Sequence, residues 1–507
     1  MAHVWNHKRA ADHIDTKLGQ VKAVTIADYA RDMSLENIPT NKAYRVHAAH
    51  LYADILNLGD MLEVTETEGT LCHKRTLRFL ELHFRAVHRI LARCDARRVD
   101  LHNQRLHTFV AKPYDGDESA EPDRIRRAVA IGQLIIDVLA ETGDDDEQIP
   151  GAKVRIGIDS GETLAVNNGR HGGREPLFLG SAANLSAKLA SNGTQPGIYL
   201  TNVARSAIGL DEVDAPERQK LTAEEIADCA AAAALEVTAE EIVEEWRDDL
   251  EACPIGTFAF SRHTPPLCSL DITALTPGNS RRQEAISLYA DLDGFTAYVA
   301  DHIDDEPEQI VKALHVIRAE LDRVLAVEFE GRRIRFIGDC VHGLTCVGTA
   351  QTTDEEASVS DAVLCAGALR SSFNLALEKL EEAAVDVGGL GLAIGFELGP
   401  MTVTRLGIKG SRIRCSVSRG VLASEEEQKR CSGTQTAIGE AAADAATQSV
   451  RDLFGSRRIV ADLDYTEAVE ALAGNDAVAS EARKSAFAFA KPAVAASSEV
   501  VVKPFIE

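Results

Sequence analysis

Apolar positions along this chain recur with two periods, and the order in which those periods alternate comes twice. Ile310, Leu314, Ile317, Leu321 and Val324 fall at helical spacing and predict one helix across EQIVKALHVIRAELDRVLAVEF, residues 308–329. Ahead of it, EAISLYAD at 284–291 is a β-rich apolar run. Behind it, RIRFIGDCVHGLTCV at 333–347 reads as two short strands about Gly338-Asp339, a hairpin signal. A long helix over 360–383, the strand GLAIGFELG at 391–399 and a short hairpin complete the unit. The first half follows the same plan: strand 50–56, helix 71–94, an extended segment 105–112, helix 124–142, strand 153–159 and helix 182–191.

The likeness extends to letters. LYADILN at 51–57 is echoed by LYADLDG at 288–294, placing Asp54 opposite Asp291, 237 residues on. VRIGIDSG at 154–161 is echoed by LAIGFELG at 392–399, placing Gly157 opposite Gly395, 238 residues on. Two landmarks at nearly one spacing imply duplication of a whole domain rather than a solenoid repeat. Strands mixed with helices in this order predict an α+β fold, with sheets covered by helices. The boundaries read as a first domain at 45–210, an acidic helical connector at 211–282, a second domain at 283–440 and a C-terminal extension at 441–507. The Ala-rich, acidic part of the connector is expected to be a solvated helix face.

Composition narrows the function classes. Lys and Arg number 54 against 79 Asp and Glu, a formal charge of −25. That balance excludes a broad footprint on nucleic acid or an anionic membrane. No run of about 18 apolar residues is present, and the first residues lack a signal-type apolar core, so the expected location is cytoplasmic. The ten cysteines are scattered singly with no CxxC pair, as buried reduced thiols would be. There is no GxxxxGK[ST] loop, and GGLGLAIG at 388–395 lacks dinucleotide-fold spacing and reads as a strand entry.

The chemistry concentrates in the second half. A strand ending in Asp291 and a hairpin turn carrying Asp339 put two carboxylates side by side if their strands are neighbours. Hard divalent cations prefer such oxygen ligands, with water and phosphate completing the shell. After Asp291 the chain turns through Gly294, Phe295 and Thr296 into a helix, whose first amides would point at phosphates.

These residues resemble a known family. YADLDGFTAYV and RRIRFIGDCVHGL in the second half resemble the metal-binding strand and hairpin of class III nucleotide cyclase catalytic domains. The resemblance implies two ferredoxin-like, palm-type domains forming an intramolecular pseudo-dimer. It further implies two Mg²⁺ or Mn²⁺ ions on Asp291, Asp339 and the Leu292 carbonyl, with substrate phosphates over Gly294, Phe295 and Thr296. The first half, through VRIGIDSGETLAV and PLFLGSAANLSAKLA, resembles the part of the same family that supplies an Asn and, four residues on, an Arg. Here these are Asn184 and Lys188, one helical turn apart and on one face. Lys for Arg keeps the charge and loses the planar fork.

Each half lacks what the other has. Set against Phe336-Ile337-Gly338-Asp339, the first half offers Thr108-Phe109-Val110-Ala111, without a carboxylate. Set against Asn184 and Lys188, the second half offers Val421 and Glu425. One complete site is therefore expected between the halves, and its pseudo-symmetric twin is expected to be dead. By the same resemblance, the base-reading positions fall near His107 and Leu177, and a leucine cannot hydrogen-bond a purine. GSAANLSAKL resembles the bacterial pyrimidine cyclases of the Pycsar antiphage system. That implies a lyase acting on a nucleoside triphosphate, UTP in preference to CTP, in antiviral defence, and a separate effector protein responsive to the cyclic product. The alternatives are a purine cyclase with an atypical base pocket and an inactive cyclase-like nucleotide sensor.

Overall fold

The computed structural model describes residues 4–30, 33–63, 68–113, 120–145, 147–167 and 176–473. Its first half runs α1 (His7–Gln20), β1 (Thr25–Asp28), β2 (Lys42–Ile55), α2 (Leu58–Leu62), α3 (Thr70–Arg93), β3 (Arg97–His102), β4 (Arg105–Val110), α4 (Glu121–Glu141), β5 (Val154–Val166), β6 (Leu177–Leu179), α5 (Ser181–Ser191), β7 (Gly197–Leu200) and α6 (Asn202–Ala207). Two acidic helices follow, α7 (Ala223–Ala233) and α8 (Ala239–Ala252), each opened by a threonine capping box. The second half runs β8 (Phe260–Ser261), β9 (Ser280–Asp293), α9 (Phe295–His302), α10 (Pro307–Arg323), β10 (Arg332–Ile337), β11 (Cys340–Thr345), α11 (Glu355–Glu382), β12 (Gly391–Leu406), β13 (Ile413–Val417), α12 (Arg419–Lys429) and β14 (Gln435–Ile438). It closes with α13 (Glu440–Ala445), α14 (Gln448–Phe454), β15 (Ile459–Ala461) and α15 (Tyr465–Leu472).

The two sheets share one topology. The first has strand order β3-β4-β2-β5-β6, the second β10-β11-β9-β12-β14-β15. In each, the long central strand also takes a parallel edge partner, β1 on β2 and β8 on β9. Register confirms the duplication residue by residue: Tyr52 faces Gly157 across β2 and β5, and Tyr289 faces Gly395 across β9 and β12. Those glycines recur because a helix backbone passes too close for a side chain. A Cβ on Gly157 would lie 2.2 Å from the Ser186 carbonyl oxygen, and one on Gly395 would lie 2.1 Å from the Gln428 nitrogen.

The halves exchange arms. Leu406, Ile413, Cys415 and Val417 of the β12–β13 hairpin are buried in the core of the first half. Reciprocally, Leu164, Val166 and Leu179 of β5 and β6 enter the core of the second half, as do Ala10 and Ile14 of α1. The acidic helices keep a solvated face but are tied down by apolar anchors. Ile242, Val243 and Trp246 are buried, and the Trp246 indole donates to the Leu82 carbonyl at 3.0 Å. Past residue 440 the second sheet gains β15, paired with β14. The helix expected over 308–329 changes character near its end, with π-helical hydrogen bonding at Val324–Glu328.

Across the seam, the pseudo-symmetry brings equivalent positions face to face. Asp100 opposes His107 in the first sheet, and Arg335 opposes His342 in the second. These two matched residues meet: Arg335 Nη1 lies 3.2 Å from Asp100 Oδ1 and donates to the Leu101 carbonyl at 2.8 Å. Identical halves would set like against like here, so the fused chain has diverged into a complementary pair. Among the described residues, no helix is long and apolar enough to cross a membrane. The ten cysteines are free thiols, six of them buried.

Candidate active site

The end of β9 and the tip of the β10–β11 hairpin create the acidic side. Ala290 pairs with Val341, so Asp291 projects beside Cys340, next to the two-residue turn of Gly338 and Asp339. Burial, and then the charge of Asp293, pushes the Asp291 carboxyl up to about 6. Burial and Asp291 push Asp339 well above the carboxylate range. Asp291 accepts a 3.4 Å hydrogen bond from the Gln428 amide, and neither carboxylate has an ion-pair partner among the described residues. Two unneutralised carboxylates, with the Leu292 carbonyl between them in sequence, form a hard-oxygen donor set that fits Mg²⁺ or Mn²⁺. The Leu292 side chain is buried core, so only its backbone can take part. Among the described residues, no group of three or more His, Cys, Asp or Glu side chains is placed to hold a metal ion.

Gly294 follows with φ at +80°, and a Cβ there would lie 2.4 Å from the Gly389 carbonyl oxygen. Only glycine makes this turn without strain. The turn leads into α9 with Phe295 buried and Thr296 exposed.

The first half faces this edge with α5. Asn184 Nδ2 donates to Thr296 Oγ1 at 3.4 Å, a side-chain contact across the seam. Lys188 stands one turn further on and is exposed. A cavity of about 120 Å³ opens here, walled by Phe295, Thr296 and Asp339 from the second half and by Asn184, His107 and Leu177 from the first. Six of the ten residues singled out from sequence thus line one cavity. Asp291, Leu292 and Gly294 adjoin it in the chain, and Lys188 lies outside its wall.

Sequence reasoning gave no site role to several further wall residues, among them Tyr52, Asp100, His102, Arg105 and Arg318. The Tyr52 ring stacks on His107 at 4.1 Å. His107 Nε2 meets His50 Nδ1 at 3.0 Å, and His50 Nε2 meets Thr163 Oγ1 at 3.1 Å. Burial lowers His50 to about 3 and His107 well below its ordinary value, so both rings are neutral and share a single hydrogen. The signal that could have found Tyr52 is the repeated LYAD itself, since Tyr289 stacks on His342 in the same way at 4.3 Å.

The twin site is built differently, and the structure corrects both alignments that located it. The turn matching Gly338-Asp339 is Asn103-Gln104, because Tyr52 pairs with His107 as Tyr289 pairs with His342. Gln104, not Ala111, therefore stands in place of Asp339, and Ala111 lies beyond the strand. On the helices, a Cβ on Gly157 would lie 2.7 Å from the Ala190 nitrogen, as one on Gly395 nears the Gln428 nitrogen. Leu422 and Glu426, not Val421 and Glu425, are thus the counterparts of Asn184 and Lys188. The amide and the cation are still replaced by an apolar group and an acid. Arg105 occupies the place of Cys340, with Nη1 2.7 Å from Glu425 and Nε 3.5 Å from Asp54. Burial opposes its ionisation, yet Arg105 and Lys429 hold the Glu425 carboxyl down at about 2. A guanidinium thus neutralises the twin of Asp291.

Comparison with known proteins gives relatives of high coverage. The chain is 62% identical over 505 residues to a uridylate cyclase of Pseudomonas aeruginosa, covering 99% of this chain and 98% of the relative. It is 38% identical over 441 residues to a uridylate cyclase of a Rhizobium species, covering 82% of each. Among solved structures it resembles a class III adenylyl cyclase-like ATP-binding protein from Pseudomonas aeruginosa, with a TM-score of 0.92 and 64% identity over 93% of this chain and all of that one. No protein-family model matches.

Proposed function

Because the chain belongs to the uridylate cyclase family, a group of nucleotide cyclases with the class III fold, we propose that it converts UTP to 3′,5′-cyclic UMP and pyrophosphate at the mixed site in the seam. The observation that carries this is the reach of Asn184 to Thr296 across the cavity walled by Asp339. One half presents the carboxylates, and the other presents the amide.

The ribose 3′-oxygen attacks the α-phosphorus in line, the bond from that phosphorus to the β-bridging oxygen breaks, and the 3′-hydroxyl proton is released. Asp291, Asp339 and the Leu292 carbonyl would hold two Mg²⁺ or Mn²⁺ ions, which when bound would supply acidity at the 3′-hydroxyl and neutralising charge for the departing pyrophosphate. The amides opening α9 at Phe295 and Thr296 receive phosphate oxygens. Asn184 orients the ribose, and Lys188 offsets charge on the phosphoryl group.

Base choice follows from the walls. Leu177 cannot hydrogen-bond a purine edge, and Tyr52 on His107 forms a flat wall suited to a small ring. Arg105, anchored by Glu425 and Asp54, carries donors only. It favours the uracil O4 carbonyl and repels the cytosine amine at the same position. The cyclic product serves as a cytoplasmic second messenger in antiviral defence, read by a separate effector protein. The resemblance to Pycsar cyclases supports that role.

A second reading has one observation in its favour, namely that the solved relative at 64% identity is described as binding ATP. Incubating the protein with each of ATP, GTP, CTP and UTP plus Mn²⁺, with products identified by mass spectrometry, separates the two. Cyclic UMP is the expected product. Cyclic AMP in its place installs the purine reading, and no product from any triphosphate leaves a nucleotide sensor.

A further inference from the structure

A second cavity, of about 470 Å³, lies between α1, the end of β5, α10 and β10. That volume suits a small organic ligand. Its wall carries four cationic side chains, Lys17, Arg318, Arg323 and Arg333, with the histidines His13 and His315, against a single acid, Asp322. In a chain of net charge −25 this is a local reversal of sign. Asp322 pairs with Arg333 at 2.8 Å. Glu320, which pairs with Arg323 and meets His13 Nδ1 at 2.7 Å, and Glu328, which pairs with Arg323, have fully buried side chains, so the cavity meets the basic groups rather than the carboxylates. Lys17 makes no ion pair among the described residues.

The field is visible on His315. Burial lowers its ring to about 4, and Lys17, Arg318 and His13 push in the same direction. The rest of the wall combines polar Gln20, Thr40 and Asn167 with apolar Leu314, Ala326 and Val327, the last 65% exposed. Ala326 and Val327 belong to the π-helical turn Val324–Glu328, an irregularity that helices often keep at functional sites. Arg318 and Phe336 line this cavity and the catalytic one alike, and Phe336 is three residues ahead of Asp339. The Arg318 guanidinium covers the Phe336 ring at 3.9 Å.

We infer that this cavity is a regulatory site for a phosphorylated small molecule, whose phosphate is received by Lys17 and Arg318 and whose apolar body lies along Leu314 and Val327. Occupation acts on the hairpin bearing Asp339 through Arg318 and Phe336. Only this coupling rests on the proposed activity; the binding does not.

The test is calorimetric titration of the full chain in EDTA with 5′-AMP as probe and adenosine as its phosphate-free control. AMP should bind one equivalent, adenosine at least tenfold more weakly. Lys17→Glu should weaken AMP at least tenfold and Lys17→Arg less than threefold, with melting temperatures confirming that both fold. Lys188→Ala should leave AMP binding within twofold. Absence of AMP binding, equal binding by Lys17→Glu, or loss in Lys188→Ala would each overturn the site, the last by moving the probe to the catalytic cavity. At saturating UTP, AMP should change kcat at least threefold in the parent and not in Lys17→Glu. An unchanged kcat refutes the coupling. If no triphosphate is turned over at all, the proposed activity fails while the titration still decides the site.

Discussion

Asp54 and Asp291 occupy the same place in two copies of one strand, and what separates them is the neighbour each acquired. Asp291 has a thiol beside it and a second carboxylate in the adjoining turn, whereas Asp54 has Arg105. Asp291→Asn and Asp339→Asn should each lower kcat at least 100-fold, about 2.7 kcal/mol of barrier. Asp54→Asn should cost less than tenfold, because Glu425 still holds Arg105. Cyclic nucleotide yield under Mn²⁺ measures all three, and equal losses would contradict the single-site assignment. Histidine burial makes a separate prediction. His342 is held neutral, with burial lowering it to about 3, while the unfolded chain takes up that proton near pH 6.5. Between those values the unfolded state binds more protons, so this residue's contribution to stability falls as pH drops from 6.5. Asp54 and Asp159, raised to about 6 by burial, act in the opposite sense between roughly pH 4 and 6. The difference between proteins isolates the histidine: in urea titrations at pH 7 and pH 5, His342→Asn should lose about 2 kcal/mol less than the parent.

At the scale of elements, the repeat was legible because close approach of helix to strand admits only glycine, so Gly157 and Gly395 survived divergence. Gly157→Ala should destabilise by about 3 kcal/mol, since the intruding methyl meets backbone that cannot rotate away. A shift in the urea midpoint measures it, and a loss below about 1 kcal/mol would mean that α5 can move off the sheet. The strand–helix order was equally legible, as both periods are strong. The twin hairpin was misplaced because its turn carries no glycine. Asn103 takes φ +48°, where Gly338 takes +60°, and asparagine tolerates that left-handed conformation. The helix alignment slipped by one because the spacing between copies grows from 237 to 238 between the strand with Asp291 and the strand with Gly395. Amphipathic helices with small residues give no letter by which to notice such a step. His107 and Leu177 were found by analogy of position, but nothing local to them signals a cavity.

At the scale of the whole molecule, the exchanged arms and the Asp100–Arg335 pair tie the two halves together, and they should unfold as one unit. Arg335→Ala should cost about 3–5 kcal/mol, because it leaves Asp100 and the carbonyls of Leu101 and Arg414 without their shared donor at the seam. A fall in the urea midpoint with an unbroken single transition is the expected result. Two separated transitions would show that the halves fold independently.

The order of apolar and polar residues was sufficient, alone, to set the main strands and helices and the duplication, while the roles expected of the carboxylates and of the Asn-Lys turn came from short motifs that resemble class III cyclases. These depend on side-chain type and short spacing, which a chain carries at every stage of folding. The partnership of Asn184 with Thr296, the walls supplied by Tyr52 and Arg105, and the cationic cavity beside Arg318 were decided only by tertiary structure. Each joins residues more than 100 positions apart, and such meetings are fixed by how two twisted sheets interlock, which no local periodicity encodes.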